Sequence, residues 1–227
     1  MTDQSVEILL KLLHSSSDDY SRWQISERLG QIPSGKPIAI EVFNAILHST
    51  QDVWMRVQVA TSLGEISPNN LTVVEALIAA LHTIQHDSVR CKAANSLGKF
   101  APKGHREATD ALAKLLRITQ DEDVRWQAAH SLEDIGSTNH QEATEALIEV
   151  LRTSQDESTR RQAARSLEKV APLKHRRAIK VLSQLLRTSR DKGTREQTAM
   201  SLKKIDPGNK KAIEVLDEII RRREEMD

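Results

Sequence analysis

Apolar residues along this chain fall three and four apart, in short runs that start and stop at regular intervals. In "REATDALAKLLR" (Arg106–Arg117), Ala108, Ala111, Leu112, Leu115 and Leu116 share one helical face. A second run follows Asp121, an acid suited to cap a helix N-terminus and oppose its dipole. It places Val124, Ala128, Leu132 and Ile135 on one side. Alanine pairs at Ala93-Ala94, Ala128-Ala129 and Ala163-Ala164 let neighbouring helices approach closely. Proline stops the pattern at Pro68, Pro102, Pro172 and Pro207, Pro33 sits one place early, and Ser137 stands in for it in the fourth copy. Polar loops containing Gly or Asn follow. The pattern predicts pairs of antiparallel helices.

The pair is written six times. "QDEDVRWQAAHSLEDIG" from Gln120 and "QDESTRRQAARSLEKVA" from Gln155 agree at ten of seventeen positions. Arg22, Arg56, Arg90, Arg125, Arg160 and Arg195 recur at spacings of 34, 34, 35, 35 and 35. Seven residues after each stands a Leu, and ten after each stands Ile32, Ile66, Phe100, Ile135, Val170 or Ile205. A period in this range marks a solenoid of helical hairpins. The expected units are 5–37, 38–71, 72–105, 106–140, 141–175 and 176–210, forming one domain over 1–227. A capping helix, 211–227, is amphipathic through Ala212, Ile213, Leu216, Ile219 and Ile220 and then wholly charged. About 13 helices are expected in all.

The pattern Asp-x-x-Val/Thr-Arg-x-x-Ala-Ala-x-Ser-Leu-x-x-Ile resembles a HEAT repeat. More narrowly, it is similar to the phycobilisome-lyase-type HEAT-like units abundant in cyanobacterial proteins. The resemblance spans roughly Ser5 to Lys210. It implies an all-α, right-handed, armadillo-like α-solenoid whose second helices line a concave protein-binding face. It also implies a structural ladder in which each turn Asp and the following Arg hydrogen-bond along the stack. Those pairs are Asp18/Arg22, Asp52/Arg56, Asp121/Arg125, Asp156/Arg160 and Asp191/Arg195. His86 replaces the Asp in the third copy, with Asp87 beside it as the substitute partner for Arg90.

With the anchor Arg as position zero, −1, +3, +7 and +10 point inward, and +1, +5 and +8 point outward. The outward letters vary while the inward ones do not, so they are the candidates for recognition. The expected binding ridge comprises Trp23, Val57, Cys91 and Trp126, then His130, Arg161, Arg165 and Met200. Exposed Trp is enriched at interface hot spots. The competing role for Trp23 and Trp126 is packing over alanine methyls, and Trp54, at −2, is read as packing.

Composition adds a core of Leu, Ile, Val and Ala, since aromatics are 3% of the chain. A formal charge of +1 conceals polarity along the sequence. Residues 107–159 hold 4 Lys/Arg and 12 Asp/Glu, a net of −8, and residues 160–211 hold 16 and 4, a net of +12. Lys174, Arg176, Arg177, Arg187, Lys210 and Lys211 form the expected basic patch, a surface for phosphates or an acidic protein. Nucleic acid is not favoured, because no reading motif accompanies the charge. Head-to-tail self-association is the competing use.

Residues that look chemical have simpler explanations. His105, His140 and His175 repeat at 35-residue spacing, but stacked helices ~8–10 Å apart cannot gather ligands around one ion. His14, His48 and His82 give way to Arg117, Arg152 and Arg187 at helix C-termini, where a cation suits the dipole. Cys91 is the one cysteine, which excludes an internal disulfide and a Cys-based zinc cluster, and it has no base placed beside it by the pattern. No Gly-rich phosphate loop is present. No metal, cofactor or active site is expected, and a phycobilin-lyase-type role, raised by the resemblance, is the one enzymatic alternative. The acidic start lacks signal-peptide character, and no apolar run nears the ~20 residues of a membrane span. The expected protein is a cytoplasmic scaffold whose partner is another protein.

Overall fold

A computed structural model describes residues 3–83 and 86–224; the last three positions of the expected cap lie outside the described residues. The chain divides into two compact units, Met1–Ala101 and Pro102–Asp227. Unit 1 contains α1 (Asp3–Ser15), α2 (Asp19–Gly30), α3 (Lys36–Ser49), α4 (Val53–Ile66), α5 (Leu71–Thr83) and α6 (Asp87–Phe100). Unit 2 contains α7 (Arg106–Ile118), α8 (Glu122–Ile135), α9 (Gln141–Thr153), α10 (Glu157–Val170), α11 (Arg176–Thr188), α12 (Lys192–Ile205) and α13 (Lys210–Glu224). Among the described residues there are thirteen helices and no strand, in the hairpin order that the repeat dictates.

Side-chain caps set where the helices begin. Asp18, Asp52, Asp121, Asp156 and Asp191 each accept a hydrogen bond from a backbone N–H in the first turn of the helix that follows. The first helices of unit 2 use histidine instead. Nδ1 of His105, His140 and His175 accepts from the N–H of Ala108, Ala143 and Ala178 at 3.3, 3.4 and 3.2 Å. That is the role of this histidine series, and it requires the acceptor form of the ring. Each cap contributes about 1 kcal/mol, against roughly 1.5–3 kcal/mol for a fully buried Leu. Caps therefore place the boundaries, and packing supplies the stability. Leu29, Leu63 and Leu97 in unit 1 and Leu132 and Leu167 in unit 2 are each 0% exposed.

The two units stack their hairpins differently. In unit 1, α2 and α4 pack chiefly on the first helix of the next hairpin, α3 and α5. In unit 2, helices of one kind pack together, α7 on α9 and α8 on α10 on α12. Position +8 explains part of this. It reads Gly30, Gly64 and Gly98 in unit 1, but Glu133, Glu168 and Lys203 in unit 2. A Cβ on Gly64 would come within 2.7 Å of the Phe100 ring. One on Gly30 would meet Ile66 at 3.2 Å. The glycines admit neighbours onto a face that the helical period turns outward. Gly64 is buried for this reason, and the expectation of a solvent-facing +8 row fails there. Val57 fails likewise: packing of α2, α3, α5 and α6 around α4 leaves it 0% exposed, so it is core and not ridge.

In unit 2 the contacts between successive hairpins are partly polar. Ser166 Oγ donates to the Ala129 carbonyl at 2.6 Å, an approach that the alanine pairs permit. Thr159 and Thr194 hydroxyls donate to the carbonyls of Glu122 and Glu157 at 3.3 and 3.1 Å. Ser154 and Ser189 donate to the carboxylates of the same two glutamates at 2.8 and 3.2 Å. The loops add a clasp, in which the N–H of Gly104, His140 and Lys174 reaches the last carbonyl of the next second helix, at 2.7, 3.1 and 2.7 Å.

The Asp/Arg ladder is organised differently from the expectation. Each of the five Asp residues caps its own helix, and Arg56, Arg125, Arg160 and Arg195 turn back within their own hairpins. Arg56, Arg125 and Arg160 donate to the carbonyls of Thr50, Thr119 and Ser154 at 2.8, 3.1 and 2.7 Å, and Arg195 donates to Leu186 at 2.7 Å. Glu122 and Glu157 carry the link between hairpins, each bound both to its own Arg and to the next hairpin's Ser. Arg90 pairs with Asp87 at 2.7 Å, while His86 makes no side-chain cap.

Two stability predictions follow from this packing. Gly64→Glu, which installs the unit 2 residue, should destabilise by roughly 2–4 kcal/mol through overpacking and a buried carboxylate, read as a lowered denaturation midpoint. The second concerns acid. The Thr194 N–H, then Arg161, hold the Asp191 carboxyl below the usual carboxylate range, and the Ser21 N–H does the same for Asp18. A depressed folded-state pKa gives stability that is present above the unfolded value of ~3.9 and lost as pH falls through the folded one. Asp191→Asn keeps a cap acceptor without the titration, so its stability should fall less steeply below about pH 4, measured by thermal melts across pH.

Candidate interaction surface

In unit 2 the outward row runs along α8, α10 and α12. Trp126 is half-buried and stacks on His130, with ring centroids 5.1 Å apart and planes 21° apart. Its indole thus lies over the next turn of its own helix. His130 Nε2 faces Asp134 at 3.8 Å. Arg161 and Arg165 are exposed but engaged. Arg161 donates forward to Asp191 at 3.2 Å, and Arg165 Nε meets Glu133 behind it at 2.7 Å. Glu133 also accepts from the Gln162 amide at 2.9 Å. Met200 is 49% exposed. Burial pushes the Glu168 carboxyl above its ordinary value, against a hydrogen bond from Ser201. The row is therefore a lattice of diagonal pairs, with Met200 exposed and Trp126 half-buried along it.

In unit 1 one residue of the row, Trp23, joins an aromatic cluster. Trp23 is half-buried, and its Nε1–H donates to Ser62 Oγ at 2.9 Å, while Ser62 donates to Glu27 at 2.6 Å. Tyr20 and Trp54 flank it, with centroids 5.6 and 5.9 Å from Trp23 and 6.2 Å from each other. Tyr20 is 47% and Trp54 39% exposed, so Trp54 packs against Tyr20 and Trp23 while part of it stays at the surface. The signal was in the sequence: Tyr20 and Trp54 occupy position −2 in successive copies, 34 residues apart. Cys91 is half-buried on α6.

The basic patch divides. Lys174, Arg176 and Arg177 sit together at the start of α11, beside the end of α12. Arg187 lies in the last turn of α11, about 16 Å away at 1.5 Å per residue, because the helix separates them. Arg177 is ion-paired with Glu145 on α9. Lys210 and Lys211 open α13, where Lys211 meets Glu214 at 3.2 Å. Arg165–Glu133 and Arg177–Glu145 thus bridge the acidic middle and the basic end.

A polar series went unread in the sequence. Gln stands at +2 and Ser at +6 in five of six copies each. Gln127, Gln162 and Gln197 amides meet the hydroxyls of Ser131, Ser166 and Ser201 at 3.4, 3.2 and 3.1 Å. Their constancy, against the variation at +1 and +5, was the available clue. Among the described residues, no group of three His, Cys, Asp or Glu side chains is placed to hold a metal ion, and no helix is long and apolar enough to cross a membrane. An open groove of about 350 Å³ between α12 and α13 is lined by Lys192, Arg195, Val215, Glu218, Ile219 and Arg222.

Comparison with known proteins agrees with this architecture. The family model for HEAT repeats matches residues 40–133, 74–168 and 144–226. No curated protein matches the chain. Two designed proteins resemble it among solved structures. One is a computationally designed self-assembling cyclic homooligomer, 15% identical over 93% of this chain and 68% of that chain, with a TM-score of 0.18. The other is a de novo designed 16-helix transmembrane nanopore, 18% identical over 97% of this chain and 66% of that one, with a TM-score of 0.19. Those scores are too low for either likeness to bear on function. The matched segments cover most of the chain, and their period is that of its stacked hairpins: the chain belongs to the HEAT-repeat family.

Proposed function

We propose that this chain is a non-catalytic scaffold that binds a protein partner through the outward row of its second helices. HEAT repeats generally mediate protein–protein contacts. The observation that carries the reading here is the cluster of Tyr20, Trp23 and Trp54, three of the chain's six aromatic residues gathered at one exposed place. Aromatic side chains offer large apolar area at small entropic cost, and Tyr and Trp dominate interface hot spots. Unit 2 by itself offers similar chemistry in Trp126 and Met200. Arg161 and Arg165, already paired, supply charge at the rim. A bilin-lyase role and nucleic-acid binding rest on sequence resemblance and composition, and the bridges holding Arg161, Arg165 and Arg177 reduce the charge open to phosphates.

The test is affinity capture from source lysate with mass spectrometry, comparing wild type with Trp23→Ala, Trp126→Ala and Arg161→Glu. Loss of a hot-spot residue removes ~2 kcal/mol or more of binding, about thirtyfold. A shared set of proteins should therefore drop out with the Trp variants, while helix content by circular dichroism stays unchanged. Equal recovery by all three variants and wild type rules out the outward row as the recognition surface.

A further inference from the structure

We propose that the loop Pro172–Arg177, with the end of α12 against it, is a second docking surface, one for an acidic protein segment that carries an apolar side chain. The same loop occurs three times in unit 2, as Pro102–Glu107, Ser137–Glu142 and Pro172–Arg177. The first two follow local rules. The left-handed position is held by Gly104 (φ 79) and Asn139 (φ 69), and the first helical turn carries Glu107 or Glu142. The third breaks them. Lys174 adopts φ 59, a conformation that L-residues other than Asn and Asp rarely accept. Arg176 and Arg177 open α11 with no acid in its first turn, at the positive end of the helix dipole. Leu173 stands 71% exposed where the other loops have Lys103 and Thr138. Departures from local preference with no gain in packing concentrate at functional sites.

Geometry gathers these residues and holds them. The Lys174 N–H donates to the Ile205 carbonyl at 2.7 Å, which seats the loop beside Lys203 and Lys204 in the last turn of α12. His175 caps α11 at 3.2 Å, so the loop is fixed at both ends. The nearby acids are engaged locally. Glu145 takes Arg177, Asp206 accepts from the Asn209 amide at 3.1 Å, and Glu214 meets Lys211. Lys174, Arg176, Lys203, Lys204 and Lys210 remain exposed, with no ion pair among the described residues. Cations around a protruding leucine match carboxylates that flank an apolar side chain. A phosphate polymer would use the cations and leave Leu173 in water.

Fluorescence anisotropy with a labelled twelve-residue peptide of repeating Glu-Glu-Leu tests this on the whole chain. Binding should weaken ~5-fold in Leu173→Ser and ~3-fold in Lys174→Gly. Lys174→Gly should at the same time raise the melting temperature, because glycine accepts the left-handed backbone; a merely destabilising change cannot produce that pair of results. Trp23→Ala and Trp126→Ala should leave peptide binding intact, which separates this surface from the outward row. Unchanged peptide binding in both loop variants overturns the proposal. So does an oligothymidylate that binds more tightly than the peptide and ignores Leu173→Ser, or self-association that Leu173→Ser abolishes.

Discussion

A two-helix hairpin of this composition cannot cover its own apolar flanks, and every other feature of the chain answers to that constraint. Its helices are only twelve to fifteen residues long, marginal alone in water. Each becomes stable by laying its Leu, Ile and Ala side chains against the next hairpin, whose own flank needs the same cover. The anchor residues recur because the contact recurs. Polar groups that touch the joint must be satisfied there, which is why Ser166, Thr159 and Thr194 donate to carbonyls of the preceding hairpin.

Charge serves the same joint. An acidic hairpin followed by a basic one looks, in sequence, like two surfaces awaiting partners. Stacking sets them side by side, where Arg165 meets Glu133 and Arg177 meets Glu145. Exposed pairs of this kind contribute little each, about 0–1 kcal/mol. They favour one order of hairpins over others more than they add stability. The cations at the start of α11 and the end of α12 are left over after Glu145 has taken Arg177.

Different parts of the structure were legible to different degrees. Hairpin boundaries could be read closely, since a capping Asp, a periodic apolar face and a stopping proline all act within a few residues. The outward row could be read in part: Arg161, Arg165 and Met200 are exposed and Trp126 is half-buried, whereas Val57 is core. A helical period says which way a side chain leaves its own helix. It does not say whether another helix waits there, and α4 has neighbours on four sides. The histidine caps were missed because imidazole is an uncommon cap, and its role depends on which ring nitrogen faces the first turn.

By itself, then, the sequence determined what is local and repeated: helices, their ends, their inner faces, and a period that demands stacking. Tertiary structure alone decided how neighbouring hairpins meet. That choice buried Val57 and Gly64, drew Tyr20, Trp23 and Trp54 together, and bridged Arg165 to Glu133 and Arg177 to Glu145. The reason is distance. Contacts within a turn are fixed by residue type and spacing, whereas contacts across 34 or 35 residues depend on which faces a glycine or an alanine allows to touch.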